Sequence, residues 1–211
     1  MKRLLVLLFL LNCATFLLAQ DSLTYEIFPL VENHISYQRI VEAPGKSKDD
    51  LYKMIKSWSV SAFNSQKDAL QSEDRVTGLI IYKFNFNSSF ESPKIDGAST
   101  TIPTTYWQNL KFYIKDGKLK IIIDNLSLMM NESTFNVETY ALDIKAFNDK
   151  AIEDVKKTMK VSEKLERQMR ENASNYDRSV IRNFSEADKE IKKLLAGVET
   201  YIKSGKSEFD F

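Results

Sequence analysis

The stretch that decides the fold spans residues 44–78 and reads PGKSKDDLYKMIKSWSVSAFNSQKDALQSEDRVTG. Ser47 precedes Asp50 by three residues, the spacing of a capping box with an acid at the positive end of a helix. Apolar residues then recur at helical spacing, at Leu51, Met54, Ile55, Trp58 and Ala62. This face is predicted to be core, and the opposite side is predicted to face solvent, with Lys48, Lys53, Lys56 and Ser59.

Strands are predicted on both sides of this helix. Before it, Ile35, Tyr37 and Val41 alternate with Ser36, Gln38 and Ile40, and the Pro44-Gly45 turn closes the segment. After it, residues 69–72 suggest a short strand that ends in a turn at residues 73–75. Residues 80–87 then alternate strictly, with Ile80, Tyr82, Phe84 and Phe86 on one side. Residues 87–103 show no periodicity and are predicted to form a long loop.

A two-residue hairpin turn is indicated at Asp116-Gly117, and a type I′ turn is expected there because both residue types tolerate positive φ. With the turn in this place, Ile114 opposes Leu119 and Phe112 opposes Ile121. Leu110 then opposes Ile123, so that each apolar residue of one face meets an apolar partner. A slip of one residue would destroy these pairs, so the sequence predicts a single register.

These elements resemble a known family. The run from Gly45 to Gly78, with its Gly-Lys-Ser-Lys opening, its Trp58 and its Thr77-Gly78 end, is similar to exported bacterial proteins of the domain of unknown function numbered 4468. The resemblance covers about residues 35–124 and implies an α+β fold like that of the TATA-binding protein, in the order strand, helix, four strands, helix. It implies no catalytic residues.

The last third of the chain is predicted to be helical. From Asn148 to Arg182 the apolar residues form a narrow stripe, and Ser185 followed by Asp188 suggests the start of a second, cleaner helix that ends at Gly205. Two arrangements are open: the helices pair with one another or cover the sheet, or they form an arm that binds a partner or self-associates. The predicted organisation is a signal peptide at residues 1–19, an α+β domain at 20–145 and a helical region at 146–211.

The N-terminus predicts export. Lys2 and Arg3 precede an apolar segment at residues 4–18, which is too short for a comfortable membrane span, and Ala19 is a plausible cleavage residue before Gln20. We therefore expect a periplasmic or secreted protein that is not an integral membrane protein. The alternative is a lipid anchor at Cys13, although Asn12 is a poor residue before such a cut.

Composition limits the chemistry. Cleavage would remove Lys2 and Arg3 from 30 basic residues, leaving 28 against 29 acidic ones, a balance that gives no electrostatic drive toward nucleic acid. It would also remove the one cysteine, and with it disulfides, thiolate metal sites and cysteine nucleophiles. His34 is the one histidine and is expected to be structural or exposed. Asp49, Asp50, Glu73 and Asp74 are expected to cap helices and turns.

No catalytic, cofactor-binding or metal-binding residues are therefore assigned from the sequence. The leading hypothesis is a non-catalytic binding module of the cell envelope, because a sheet with one helix-covered face leaves the other face for a protein, peptide or glycan partner. The alternative is a carrier with an apolar pocket between the first helix and the sheet, lined by Trp58, Tyr82 and Phe84. A hydrolase using paired carboxylates ranks third.

Overall fold

The computed structural model describes residues 27–63, 65–93, 99–141 and 144–204. The predicted signal peptide and Cys13 lie outside these residues. The described strands are β1 Leu30–Val31, β2 His34–Glu42, β3 Leu70–Asp74, β4 Leu79–Glu91, β5 Thr101–Lys115, β6 Lys118–Met130 and β7 Ser133–Asn136. The described helices are α1 Lys48–Ala62, α2 Gln66–Ala69, α3 Val137–Ala141, α4 Ile144–Thr158 and α5 Glu163–Ser204.

Helix α1 begins as the sequence predicts. The Ser47 hydroxyl accepts a hydrogen bond from the Asp50 amide at 3.1 Å, and the Asp50 carboxylate accepts one from the Ser47 amide at 3.3 Å. Leu51, Ile55 and Trp58 are buried, which confirms the predicted core face. Ser59 was wrongly placed on the solvent side: it is fully buried, because its hydroxyl has partners in the core.

The sheet has the order β1-β2-β6-β5-β4-β3, with β7 added beside β6, and each pair of neighbours is antiparallel. An antiparallel sheet with helices packed on it confirms the predicted α+β class. The hairpin register is confirmed as well, since Ile114 pairs with Leu119, Phe112 with Ile121 and Leu110 with Ile123.

The prediction of a type I′ turn at Asp116-Gly117 is wrong. Gly117 has a φ of 72°, but Asp116 is not among the described residues with positive φ. The turn is instead tied to the segment before α1: the Asp116 carboxylate accepts from the Lys48 amide at 2.7 Å, and the Gly117 amide donates to the Lys46 carbonyl at 2.9 Å. These hydrogen bonds to the segment before α1 determine the conformation of the turn, and the residue types at the turn do not predict them.

Two strands extend beyond their predicted limits. The predicted long loop at residues 87–103 is wrong at both ends, because β4 continues to Glu91 and β5 begins at Thr101. Phe90 is buried on the far part of β4, but the serines before it hide the alternation that marks a strand. The predicted turn at residues 73–75 starts too early, since Glu73 and Asp74 pair with Ile80 and Leu79 of β4.

Helix α5 is continuous over 42 residues, so the predicted break at Ser185 is wrong. Ser185 lies within the helix and donates to the Ile181 carbonyl at 2.8 Å, a bond that serine makes in helix interiors. The helix instead begins after Ser162, whose hydroxyl accepts from the Leu165 amide at 3.3 Å.

The second half of α5 covers the sheet. Its buried apolar residues belong to the same core cluster as α1 and the strands: Val180, Phe184, Ala187, Ile191, Leu195, Val198 and Ile202. The first half pairs with α4 through ion pairs, including Arg170 with Asp149 at 3.2 Å and Lys156 with Glu166 at 3.2 Å. Helix α5 therefore combines two of the arrangements expected from the sequence: it pairs with another helix through its first half and covers the sheet with its second half. The division of the chain at residue 145 stays a prediction.

Gly78 marks a close approach between backbone segments. Its φ is 77°, and a Cβ atom at this position would collide with the carbonyl oxygen of Ile114. Its amide donates to the Asp74 carbonyl at 2.8 Å, and its carbonyl accepts from the Ile114 amide at 2.8 Å. A glycine is needed here because only a residue without a Cβ combines this φ with this contact.

Candidate functional site

A cleft of about 500 Å³ opens between the end of α1, α2, the strands β4 and β5, and α5. The cleft exists because β3 pairs with β4 only as far as Tyr82. The residues of β4 that follow Tyr82 have no partner in β3, and they form one wall of the cleft. The residues that line it are Trp58, Ala62, Phe63, Ser65, Asp68, Ala69, Lys83, Phe84, Asn85, Phe86, Trp107, Gln108, Glu190, Lys193, Leu194 and Gly197. Cavities of this size hold small molecules in many proteins.

Aromatic rings form much of the wall. Phe63 meets Trp58 edge-on, with ring centroids 5.7 Å apart, and lies tilted against Phe84, also at 5.7 Å. Phe86 stacks on the buried ring of Tyr106 at 5.1 Å. Phe63, Phe84 and Phe86 are only half-buried, so each ring keeps an exposed surface. This arrangement favours a ligand with a flat apolar part.

Gln108 lies beneath the cleft, on the side of β5 that faces the helices. It is 1% exposed, and neither its Oε1 nor its Nε2 has a hydrogen-bond partner. An unpaired buried amide destabilises a protein by about 1–3 kcal/mol, so this group needs an explanation. The sheet is irregular at this point, because β6 carries one extra residue opposite Gln108 and Asn125 there has a φ of 56°.

The carrier pocket predicted from the sequence is partly present. Trp58 and Phe84 line the cleft, whereas Tyr82 is fully buried away from it and donates to the Ser59 hydroxyl at 2.9 Å. Sequence reasoning missed Gln108. A signal for it exists, because Gln108 stands in the row Tyr106, Leu110, Phe112 and Ile114, where the other positions are aromatic or aliphatic.

Polar contacts fix α5 against the sheet and so fix one wall of the cleft. The Tyr37 hydroxyl donates to the Asp188 carboxylate at 2.7 Å, and burial together with this bond raises the pKa of Tyr37 above its ordinary value. Asn183 accepts from the Tyr106 hydroxyl and donates to the Ser89 carbonyl at 2.8 Å. These side chains therefore position the helix rather than offer reactive groups.

The carboxylates considered for catalysis have structural partners. Asp49 pairs with Arg75 at 3.1 Å, and the hydrogen bond from Arg75 lowers the pKa of Asp49. Glu73 pairs with Lys56 at 2.7 Å, and that bond lowers the pKa of Glu73. Hydrogen bonds from Thr77 and Ser47 lower the pKa of Asp74 and Asp50. A general acid needs a raised pKa, so none of these four carboxyls is suited to that role.

His34 lies at the surface, as expected. Its side chain is 74% exposed, and its Nδ1 lies 3.3 Å from Oε2 of Glu138. Over the described residues, no group of three or more histidine, cysteine or acidic side chains is arranged to hold a metal ion. No helix in the described part of the chain is long and apolar enough to cross a membrane.

The opposite side of the sheet, which we term the open face, points away from α1 and α5. Its side chains include Ile40, Lys83, Trp107, Lys111, Tyr113, Lys115, Lys118 and Lys120. Ile40 is 63% exposed and Tyr113 is 42% exposed. Lys115 and Lys118 stand directly opposite each other, and Glu42 of β2 stands on the other side of Lys118.

Comparison with known proteins supports the fold. Residues 37–128 match the model of a family described as a domain of unknown function (DUF4468) with TBP-like fold. The crystal structure of a DUF4468 family protein from Bacteroides ovatus is similar, with a TM-score of 0.52 at 14% identity over 82% of this chain and 90% of that chain. A TBP-like protein from Parabacteroides distasonis gives a TM-score of 0.47 at 14% identity over 87% and 100%. No curated protein matches the sequence.

The match to residues 37–128 confirms the family resemblance inferred from the sequence, and the Bacteroides ovatus structure confirms the fold that it implies. The family is described by its fold and as a domain of unknown function, so it assigns no activity to the cleft.

Proposed function

We propose, for a chain whose residues 37–128 match this family, that the protein is a non-catalytic binding protein and takes a small, largely apolar ligand in the cleft. The main observation in support of this proposal is the cleft of about 500 Å³, whose wall includes Phe63, Phe84 and Phe86. Its size lies within the range of ligand pockets, and its three aromatic rings supply the apolar surface that such sites use, beside several polar side chains.

The cleft favours the carrier hypothesis over a macromolecular partner on the open face. A pocket encloses a ligand on several sides, whereas the open face offers a flat surface with scattered lysines. A protein, peptide or glycan partner on the open face is the second candidate, and the lysines of that face favour an acidic one.

A substitution that fills the cleft and leaves the open face unchanged distinguishes these two candidate functions. Ala62→Trp places a large side chain in the cleft and is expected to weaken toluene binding by about tenfold or more. Val60→Trp is the matched control, because Val60 is on the same helix, is 63% exposed and does not line the cleft. Binding is measured by ligand-observed NMR and by the fluorescence of Trp58, which lines the cleft.

Toluene binding that is equal in both variants, or absent from the unchanged protein, contradicts the cleft proposal. A partner captured from envelope extracts equally well by Ala62→Trp and by the unchanged protein supports the open face instead.

We also propose that the protein is exported, on the strength of the N-terminal sequence. Lys2, Arg3 and the short apolar segment that follows them support cleavage after Ala19. The mature protein is expected to begin at or near Gln20 and to fractionate without the membrane. N-terminal sequencing tests this, and a lipidated Cys13 at the N-terminus would overturn it.

A further inference from the structure

Gln108 is left without a partner although the polar groups around it satisfy one another. The Tyr82 hydroxyl donates to Ser59, and Ser59 accepts a second bond from the Gln66 amide at 2.6 Å. The Tyr106 hydroxyl, two residues away on the same strand face, donates to Asn183. The buried amide of Gln108 therefore carries one unpaired donor group and one unpaired acceptor beneath the cleft. Both atoms are closed off from solvent, so a ligand in the cleft reaches them by displacing the side chains above them.

The helix side of the cleft carries few charges. They are two acids, Asp68 and Glu190, and one lysine, Lys193. Lys83 also borders the cleft, but its side chain lies on the open face, over the Trp107 ring, with its Nζ 5.5 Å from the ring centroid. The buried residues at the base include no charged side chain that would stabilise an ionised ligand group. A charged group at the base would be desolvated without compensation, so the site is suited to a neutral ligand.

Resting on the proposed function, we infer that Gln108 recognises a neutral, planar ligand group that presents a hydrogen-bond acceptor beside a donor, such as a carboxamide or a lactam. Such a group pairs with both ends of the glutamine amide at once, while the aromatic ring attached to it lies among Phe63, Phe84 and Phe86. A site with a buried amide rejects analogues that leave this amide unpaired. Specificity therefore arises at Gln108, and affinity arises from the aromatic wall.

Three compounds of nearly equal shape test this inference on the mature chain: benzamide, benzoate and toluene. Benzamide is expected to bind about tenfold or more tighter than toluene, because it pairs with a buried amide that toluene leaves unpaired. Benzoate is expected to bind more weakly than benzamide, because its charge is not compensated at the base. Ligand-observed NMR gives the three dissociation constants under one set of conditions.

Substitution of the glutamine links the preference to this residue. Gln108→Leu is expected to remove the preference for benzamide over toluene and to raise the melting temperature of the unliganded protein, because the unpaired amide is gone. Gln108→Met, which keeps an unbranched side chain, is the second variant if leucine disturbs folding. Gln38→Leu on the exposed surface of β2 is the control, and it should retain the preference.

The outcomes separate the two proposals. Binding of toluene that Ala62→Trp blocks, without any preference for benzamide, overturns the role of Gln108 and leaves the cleft proposal standing. A preference for benzamide that survives in both Gln108 variants also overturns it. Failure of all three compounds to bind overturns the cleft proposal itself.

Discussion

A chain that ends at Tyr176 is expected to aggregate instead of folding. Truncation there removes the half of α5 that covers the sheet, including Ile191, Val198 and Ile202, which are fully buried. Burial of six large aliphatic or aromatic side chains from this half contributes roughly 10–20 kcal/mol. Whole domains are stable by only about 5–15 kcal/mol, so the remaining chain cannot compensate for this loss. The sheet residues that α5 covers, including Tyr37 and Tyr106, would then be exposed as an apolar surface.

Circular dichroism and light scattering measure this outcome. The matched control is a chain that ends at Ser204, the last residue of α5, which keeps every described contact of the helix. It is expected to fold as the full chain does. A folded, monomeric product from the shorter chain would show that the sheet does not need α5, and would restore the hypothesis of a separate interaction arm.

Replacement of Trp58 by alanine is expected to lower the free energy of unfolding by about 3–5 kcal/mol. Trp58 is 2% exposed and meets two rings edge-on, Phe63 at 5.7 Å and Phe112 at 5.9 Å. Removing the indole leaves a cavity that α1 and β5 cannot close without moving, and it also removes both ring contacts. Urea denaturation followed by circular dichroism gives the change in free energy.

Trp107→Ala is the control for this experiment, because Trp107 is only half-buried and lies on the open face. Its replacement is expected to cost about 1 kcal/mol or less. Equal effects of the two substitutions would contradict the assigned roles of the two faces of the sheet. An unchanged stability of Trp58→Ala would mean that α1 presents a different face to the core.

The sequence predicts the structure well where the pattern is formed by residues that lie close together in the chain. The Ser47–Asp50 capping box and the apolar repeat of α1 depend only on residues within a few turns of each other, and both are present. The β5–β6 register depends on pairs that lie close to the Asp116-Gly117 turn, and it is also correct. In both places, the local pattern and the tertiary packing favour the same structure.

The predictions from the sequence fail where contacts between distant segments of the chain determine the structure. Ser185 and Asp188 have the spacing of a helix start, but Asp188 binds Tyr37, a residue 151 positions away, and the helix continues through both. The cleft depends on how far β3 pairs along β4 and on where α5 crosses the sheet, and neither is encoded in a short pattern. Gln108 appears in the sequence only as a polar residue in an apolar row, and its significance depends on the missing partner.

The contacts that join the turn of the β5–β6 hairpin to α1 have a consequence for the timing of folding. The first amide of α1, at Lys48, is capped by Asp116, which the ribosome adds 68 residues later. The face of the same helix then shares a core with α5, at the far end of the chain. Closing such long loops costs entropy before any contact compensates for it, so folding with this topology is slow. The first helix therefore reaches its final surroundings only when nearly the whole chain has been synthesised.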